Sequence, residues 1–345
     1  MRESLRRLAS EEAMQPPRRA GRRRCAVELI DGETLELDVQ RKAKGGELLD
    51  LVCQHLGVDE RDYFGLQHAE RGDPRVWVDL NRRLSKTFKN SPWEVRLAVK
   101  FYPPEPADLA EDITRDQLMY AVRRDLIEGR LSCSLVTHAL LGSYLLQAEL
   151  GDAECEVTGS QMLRHRVAPP RALSKELEEK INDLYAMHKG QNPAEAVQNY
   201  LENAKKLPLY GAELHCARDA DDVDLVIGVC AGGISIYRDG LLMNRFPWAK
   251  LTKISYNKKC YTLKLRPSEF DEFETSLSFR LPATRACKKL WRCSVEHHMF
   301  FRRAEAVTVE KVRLFPRLGS RRLSCRRTLR QLRADATDQR TQITA

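Results

Sequence analysis

The chain has 345 residues, 42% of them apolar, ten cysteines and a net charge of +9; at roughly 100–200 residues per domain it holds two or three domains, each able to bury a core. The cysteines run from Cys25 to Cys325 with no Cys-x-x-Cys pair and no apolar leader before them, so reduced thiols are expected rather than a disulfide-stapled secreted framework. A membrane-spanning helix is excluded as well, because the longest weakly polar stretch, Leu225 to Tyr237, is too short and too rich in glycine.

Residues 1–24 carry eight basic and three acidic side chains and are expected to be a disordered basic N-terminus. Residues 25–103 read as a compact α+β unit. Cys25, Val27 and Leu29 alternate, as do Leu35, Leu37 and Val39, and Asp31-Gly32 between them predicts a tight hairpin. Leu48, Leu49, Val52 and Leu56 then recur at helical spacing, with Gly57 placed to end the helix. Strands are predicted at Tyr63–Gln67, Arg75–Val78 and Trp93–Phe101, a ubiquitin-like order. Pro103, Pro104 and Pro106 stop regular structure there.

Residues 104–211 turn to the helical period. Leu118, Val122 and Leu126 form one stripe. Leu135, Ala139, Leu140, Ser143, Leu146 and Leu150 form a second, closed by Gly151, and Leu177, Ile181, Leu184 and His188 form a third. Asn192, Pro193 and Glu195 predict the start of a fourth helix through a capping box. Residues 212–302 return to strands, at Leu225–Cys230, Ile234–Tyr237, Leu242–Phe246, Leu251–Tyr256, Tyr261–Leu265 and Thr275–Phe279. Gly232-Gly233, Asp239-Gly240 and Asn257-Lys258 supply turns. One closing helix, about Pro282 to Phe301, turns Ala283, Cys287, Leu290, Trp291, Ser294, His298 and Phe301 to one side. Residues 303–345 carry eleven basic and four acidic side chains, a second basic tail. The body between the tails holds 39 basic and 42 acidic residues, and no motif in it reads bases, so nucleic acid is not the expected partner.

Hairpin–helix–strands, then a helical bundle, then strands with a C-terminal helix is the lobe order of a FERM module. The stretches DYFGLQ, VKFYPPEPADLAEDITR, ALLGSYLLQAELGD, YLENAKKLPLYGAELH, RFPWAKLTKISY and KKLWRCSVEHHMFFR closely resemble the FERM domain of the protein 4.1 (band 4.1) family, from about Cys25 to Arg302. The resemblance implies an α+β, three-lobe fold. A ubiquitin-like lobe is followed by a four-helix lobe shaped like acyl-CoA-binding protein, then by a pleckstrin-homology/phosphotyrosine-binding-like β-sandwich with its helix. It implies a cytoplasmic membrane–cytoskeleton adaptor, peripheral at the plasma membrane and cortex and not an enzyme. Its implied partners are cytoplasmic tails of transmembrane proteins, acidic phospholipids and, indirectly, cortical cytoskeletal proteins. The alternative is the N-terminal FERM targeting region of a non-receptor tyrosine phosphatase. Leu318-Gly319-Ser320-Arg321 is similar to the FERM-adjacent segment of the family.

Several residues bear on chemistry. His215-Cys216 does not make a phosphatase loop, since an arginine is needed six positions after the thiol and Asp222 stands there. Adjacent His297 and His298, with Cys293 nearby, point about 100° apart on a helix and lack a ligand at i+4, so no metal and no cofactor are expected. By the family resemblance, a peptide adds as a strand along Leu251, Thr252, Lys253, Ile254, Ser255 and Tyr256, in a groove against the closing helix. Phospholipid is expected at Arg41, Lys42 and Lys44 and at the turn lysines Lys258 and Lys259. Asp62, Tyr63 and Phe64 are a second candidate protein-binding site. Arg321-Arg322-Leu323-Ser324 resembles a basophilic kinase site, making Ser324 a candidate phosphorylation site whose added charge would weaken the basic tail's attraction to a membrane.

Overall fold

The computed structural model describes residues 21–70, 72–89, 91–152, 167, 174–267 and 275–302. Both basic tails, including Ser324, lie outside or almost wholly outside them. The described chain divides into two units, residues 21–61 with 65–98, and residues 62–64 with 99–302.

In the first unit, strands β1 (Arg22–Glu28) and β2 (Thr34–Gln40) precede helix α1 (Gly45–Leu56). Strands β3 (Phe64–Glu70) and β4 (Asp73–Trp77), one helical turn α2 (Leu84–Thr87) and strand β5 (Glu94–Val99) follow. The sheet order is β2-β1-β5-β3-β4, with β1 parallel to β5 at its centre. Cys25, Val27, Leu48, Val52, Leu66 and Leu97 are almost wholly buried and form the core, so the ubiquitin-like reading of this region holds. The Asp31-Gly32 hairpin differs in one respect. The strands close through a longer loop, Leu29 N–H donating to the Glu33 carbonyl, because Asp31 spends its carboxylate on the Glu33 amide at 2.9 Å. That Asx turn leaves Gly32 as the loop's positive-φ residue.

The second unit begins with helices α3 (Asp112–Ile127), α4 (Leu135–Leu150), α5 (Lys175–Met187) and α6 (Pro193–Ala204). The Leu118–Val122–Leu126 and Leu177–Ile181 stripes are buried as the period predicts. Helix α4 is not the one-sided helix expected: Leu135 and Leu150 are exposed, whereas Leu141, Leu145, Leu146, Ser143 and Gln147 are buried. It packs against both α5 and α6, so no single stripe describes it. The capping box at α6 is formed, with Glu195 N–H donating to Asn192 Oδ1 at 2.8 Å and Asn192 N–H to Glu195 Oε2 at 3.4 Å. Asn192→Ala is expected to lower stability by about 1 kcal/mol. Urea unfolding checks this as a lower midpoint at unchanged slope.

Strands β6 (Glu213–Arg218), β7 (Asp224–Cys230), β8 (Gly233–Arg238), β9 (Leu241–Pro247), β10 (Leu251–Asn257), β11 (Cys260–Leu265) and β12 (Ser276–Arg280) then make one ordered set, β10-β11-β12-β6-β7-β8-β9. Helix α7 (Thr284–Arg302) closes it. Six of these strands follow the sequence reading. Strand β6 does not, because its inward residues are His215 and Ala217 while Leu214 is exposed, an alternation invisible to a hydrophobic pattern. Ile227, Val229, Ile234, Tyr261, Leu263, Cys287 and Leu290 fill the core beneath α7. Two details of the closing helix are corrected. Ala283 lies before it and is exposed. The fully buried histidine is His297, at 2% exposure, while His298 is half-buried with its ring 5.6 Å from that of Trp248. A helix turn advances 3.6 residues, so the face carrying Leu290 and Cys293 brings position 297 inward.

Tyr102 sits at the centre of the connection between the helices and the strands. Its hydroxyl donates to Asp125 at 2.7 Å, and Arg130 donates to the same carboxylate from Nε at 2.8 Å. Its ring meets Tyr210 edge-on at 5.4 Å. Tyr210 in turn donates to the Pro103 carbonyl at 3.2 Å.

Candidate functional site

Among the described residues, strand β10 has a hydrogen-bonded partner strand on one side only, β11. Leu251 is buried and anchors the strand, Thr252 and Lys253 are exposed, and Ile254, Ser255 and Tyr256 are half-buried. The register slips between Leu251 and Lys253. Thr252 is the extra residue of that bulge, and its hydroxyl donates to the Lys264 carbonyl at 3.1 Å. Helix α7 lies alongside. Trp291 Nε1 donates to the Ile254 carbonyl at 3.2 Å, and its ring sits 5.3 Å from that of Tyr256.

That bond orients the strand's backbone. An antiparallel strand turns the N–H and C=O of one residue to the same side, and successive residues to opposite sides. With the Ile254 carbonyl toward α7, Ile254 and Tyr256 present their backbone groups to the open edge, while Lys253 and Ser255 face β11. The six residues singled out in the sequence are therefore contiguous but not equivalent. Trp291, read there only as a core residue, is the side chain that α7 lays against β10, signalled by no pattern within β10 itself. Helix α7 is held over the sheet by Tyr261 and Ser294, whose hydroxyls are 2.7 Å apart.

The rim is basic: Lys250, Lys253, Lys258 and Lys259 are all exposed. Lys258 occupies the left-handed region at φ 52° in the β10–β11 turn, so its side chain stands at a hairpin tip. Arg41, Lys42 and Lys44 belong to the first unit and are also exposed, with the Lys44 amide donating to Glu47 at the start of α1. Of the second candidate site, Phe64 is buried at 3% exposure. Tyr63 packs edge-on against Phe300 at 5.5 Å, its carbonyl accepting from the Lys100 amide at 2.7 Å. Asp62 is half-buried. Cys216 lies on the outer face of the paired strand β6, and Asp222 bonds Arg218 and Arg280 in the turn beyond it. Neither the strand nor the turn resembles a phosphate cradle. No helix among the described residues is long and apolar enough to cross a membrane, and the eight cysteines among them are free thiols.

Three family models match in succession: the FERM N-terminal domain over residues 27–90, the FERM central domain over 104–215 and the FERM C-terminal PH-like domain over 219–308. The Drosophila melanogaster protein 4.1 homolog is 49% identical over 296 residues, 85% of this chain and 17% of that protein. Human band 4.1-like protein 2 is 46% identical over 314 residues, 91% of this chain and 31% of that protein. Bovine protein 4.1 is 44% identical over 310 residues, 90% of this chain and 50% of that protein. The chain thus spans half or less of the length of these relatives. Among solved structures, the FERM and C-terminal domain complex of Drosophila Merlin superposes with a TM-score of 0.73 at 22% identity, covering 82% of this chain and 97% of that one. The human myosin 7b C-terminal MyTH4-FERM domain, solved in complex with the harmonin-a PDZ3 domain, gives 0.59 at 13% identity, over 86% of this chain and 66% of that one.

Proposed function

The chain belongs to the FERM-domain proteins of the protein 4.1 family, and from that premise we propose that it is an adaptor docking cytoplasmic tails of transmembrane proteins, and acidic phospholipids, at the cell cortex. The observation that carries the tail-binding reading is the one-sided pairing of β10 beside α7. An extended peptide adds there as a further strand, its backbone meeting the Ile254 N–H and the backbone groups of Tyr256 and its side chains meeting Tyr256 and Trp291. The exposed lysines along the rim favour an acidic segment.

Calorimetric titration of acidic tail peptides tests this. A micromolar interaction is worth about −8 kcal/mol, and a loss of about 1.4 kcal/mol weakens it tenfold. Ile254→Pro removes an N–H that faces the open edge and leaves the β11 ladder its own donors, and it is expected to weaken binding about tenfold or more. Lys253→Glu should weaken acidic peptides at an unchanged melting temperature. Undiminished affinity in both variants, each folded, moves the site away from β10.

The lipid reading rests on the exposed Lys258–Lys259 tip, the Arg41–Lys44 group and the basic tails. Each basic residue near an anionic surface contributes about 1 kcal/mol, and the attraction decays within a Debye length of roughly 10 Å at 0.1 M salt. Co-sedimentation with anionic vesicles is expected to fall steeply as salt rises and to drop in the Lys258→Glu, Lys259→Glu double variant. Equal binding to neutral and anionic vesicles would remove this part of the proposal.

A further inference from the structure

Strand β6 carries Glu213, His215 and Ala217 at alternate positions on the face turned to the core, with Leu214, Cys216 and Arg218 outward. Helix α7 presents Cys293 and His297, four residues apart and both buried, at 4% and 2% exposure. The fold brings these two short patterns together. One ligand atom from each of Glu213, His215 and Cys293 lies within 4.8 Å of the others. His215 Nε2 is 3.5 Å from Glu213 Oε1, and Cys293 Sγ is 3.5 Å from His297 Nδ1. Tetrahedral bonds of about 2.0–2.3 Å place two ligands about 3.3–3.7 Å apart. The carboxylate–imidazole pair is therefore already spaced to share an ion.

We propose that Glu213, His215 and Cys293 form a binding site for one divalent ion of the zinc class, with His297 positioning the sulfur. Sulfur, imidazole nitrogen and carboxylate oxygen together are a borderline-soft donor set, which suits zinc and not calcium or magnesium. The His297 assignment follows from its second contact. Its Nδ1 is 3.0 Å from the Cys293 carbonyl; a carbonyl only accepts, so Nδ1 carries the proton and donates it to that carbonyl. That bond fixes the imidazole beside the sulfur, 3.5 Å from it, and so holds Cys293 in place. The Glu213 side chain is 24% exposed, so the cluster reaches solvent on that side.

On binding, the S–H bond breaks, a sulfur–metal bond forms and the proton leaves to solvent. One carboxylate, one thiolate and a dication then make a neutral cluster, so the bound ion brings no net charge into the core. The ion would clip β6 to the closing helix.

The full chain, stripped with chelator, is titrated with cobalt(II) as a spectroscopic stand-in and then with zinc. The expected result is one ion per chain, with a thiolate-to-cobalt band in the near ultraviolet, visible bands of tetrahedral intensity, and displacement of both by zinc. Cys293→Ser should lose the thiolate band and His215→Gln should weaken binding. Cys216→Ser, on the opposite face of the same strand, should keep the full spectrum. The wild-type melting temperature should rise with zinc and fall back with chelator, a readout that stands even if a core variant fails to fold. No thiolate band in the wild type, the same band in Cys293→Ser, or a melting temperature indifferent to zinc would each overturn the proposal.

Discussion

Gly211→Ala is expected to destabilise the protein by about 2–4 kcal/mol, from two sources that a control separates. Gly211 has φ +62°, and a Cβ built on it would lie 2.4 Å from Tyr102 Cβ and 2.8 Å from Tyr102 Cγ. The first atom belongs to a side chain's root and cannot swing away without moving the backbone. Gly190 has φ +85° with nothing within 4 Å of its would-be Cβ. Gly190→Ala therefore reports the left-handed penalty alone, about 1–2 kcal/mol. Denaturant midpoints for the two variants give the comparison, and equal losses would show that the Tyr102 contact contributes nothing.

The second large effect is expected at Asp125. Its carboxylate is 18% exposed, accepts from Tyr102 Oη and is paired with Arg130 at 2.5 Å. Burial and this carboxylate hold the Tyr102 phenol well above its usual pKa, so Tyr102 remains a donor at every working pH. Asp125→Ala leaves a buried hydroxyl without its acceptor and Arg130 without this partner, a loss of about 2–4 kcal/mol after allowing for partial exposure. Tyr102→Phe removes one hydrogen bond and leaves the ion pair, so about 1 kcal/mol is expected. Because Gly211 and Asp125 both meet Tyr102, the Gly211→Ala, Asp125→Ala double variant should fall short of additivity. Simple additivity in urea unfolding would show that the two contacts are independent.

Both residues illustrate what a sequence does and does not display. Gly211 stands there at the end of the helical region, and Asp125 lies between Val122 and Leu126 of its first stripe. Neither has a local pattern naming Tyr102 as its partner. By contrast, the capping box at Asn192 and Glu195, the Asp239-Gly240 turn and the alternation in β7, β8 and β11 are legible because each is a contact between near neighbours in the chain. The Asp31-Gly32 loop departs from its expected form through an equally local competition, the Asp31 carboxylate taking the Glu33 amide. Helix α4 departs for a tertiary reason: neighbours on two sides bury residues that a single stripe leaves out.

For the candidate sites the division is sharper. Sequence alone determined the lobe order, a strand at Leu251 to Tyr256, a long closing helix and the two basic groups, since runs of alternating or helically spaced apolar residues and turn lysines are properties of short segments; that the strand lies beside the helix was implied by the family resemblance. Only the tertiary structure decided that Ile254 and Tyr256, not Ser255, face the open edge, because backbone direction was settled by the Trp291 indole reaching over from another element. Only it placed Tyr63 against Phe300 and buried Phe64. It alone also brought Glu213 and His215 to Cys293, residues that belong to a strand without a hydrophobic signature and to a helix far along the chain. Their encounter is a consequence of how α7 closes the sheet, and closure is driven by burying Leu290, Cys287 and Tyr261, side chains that say nothing about which polar groups will be carried in with them.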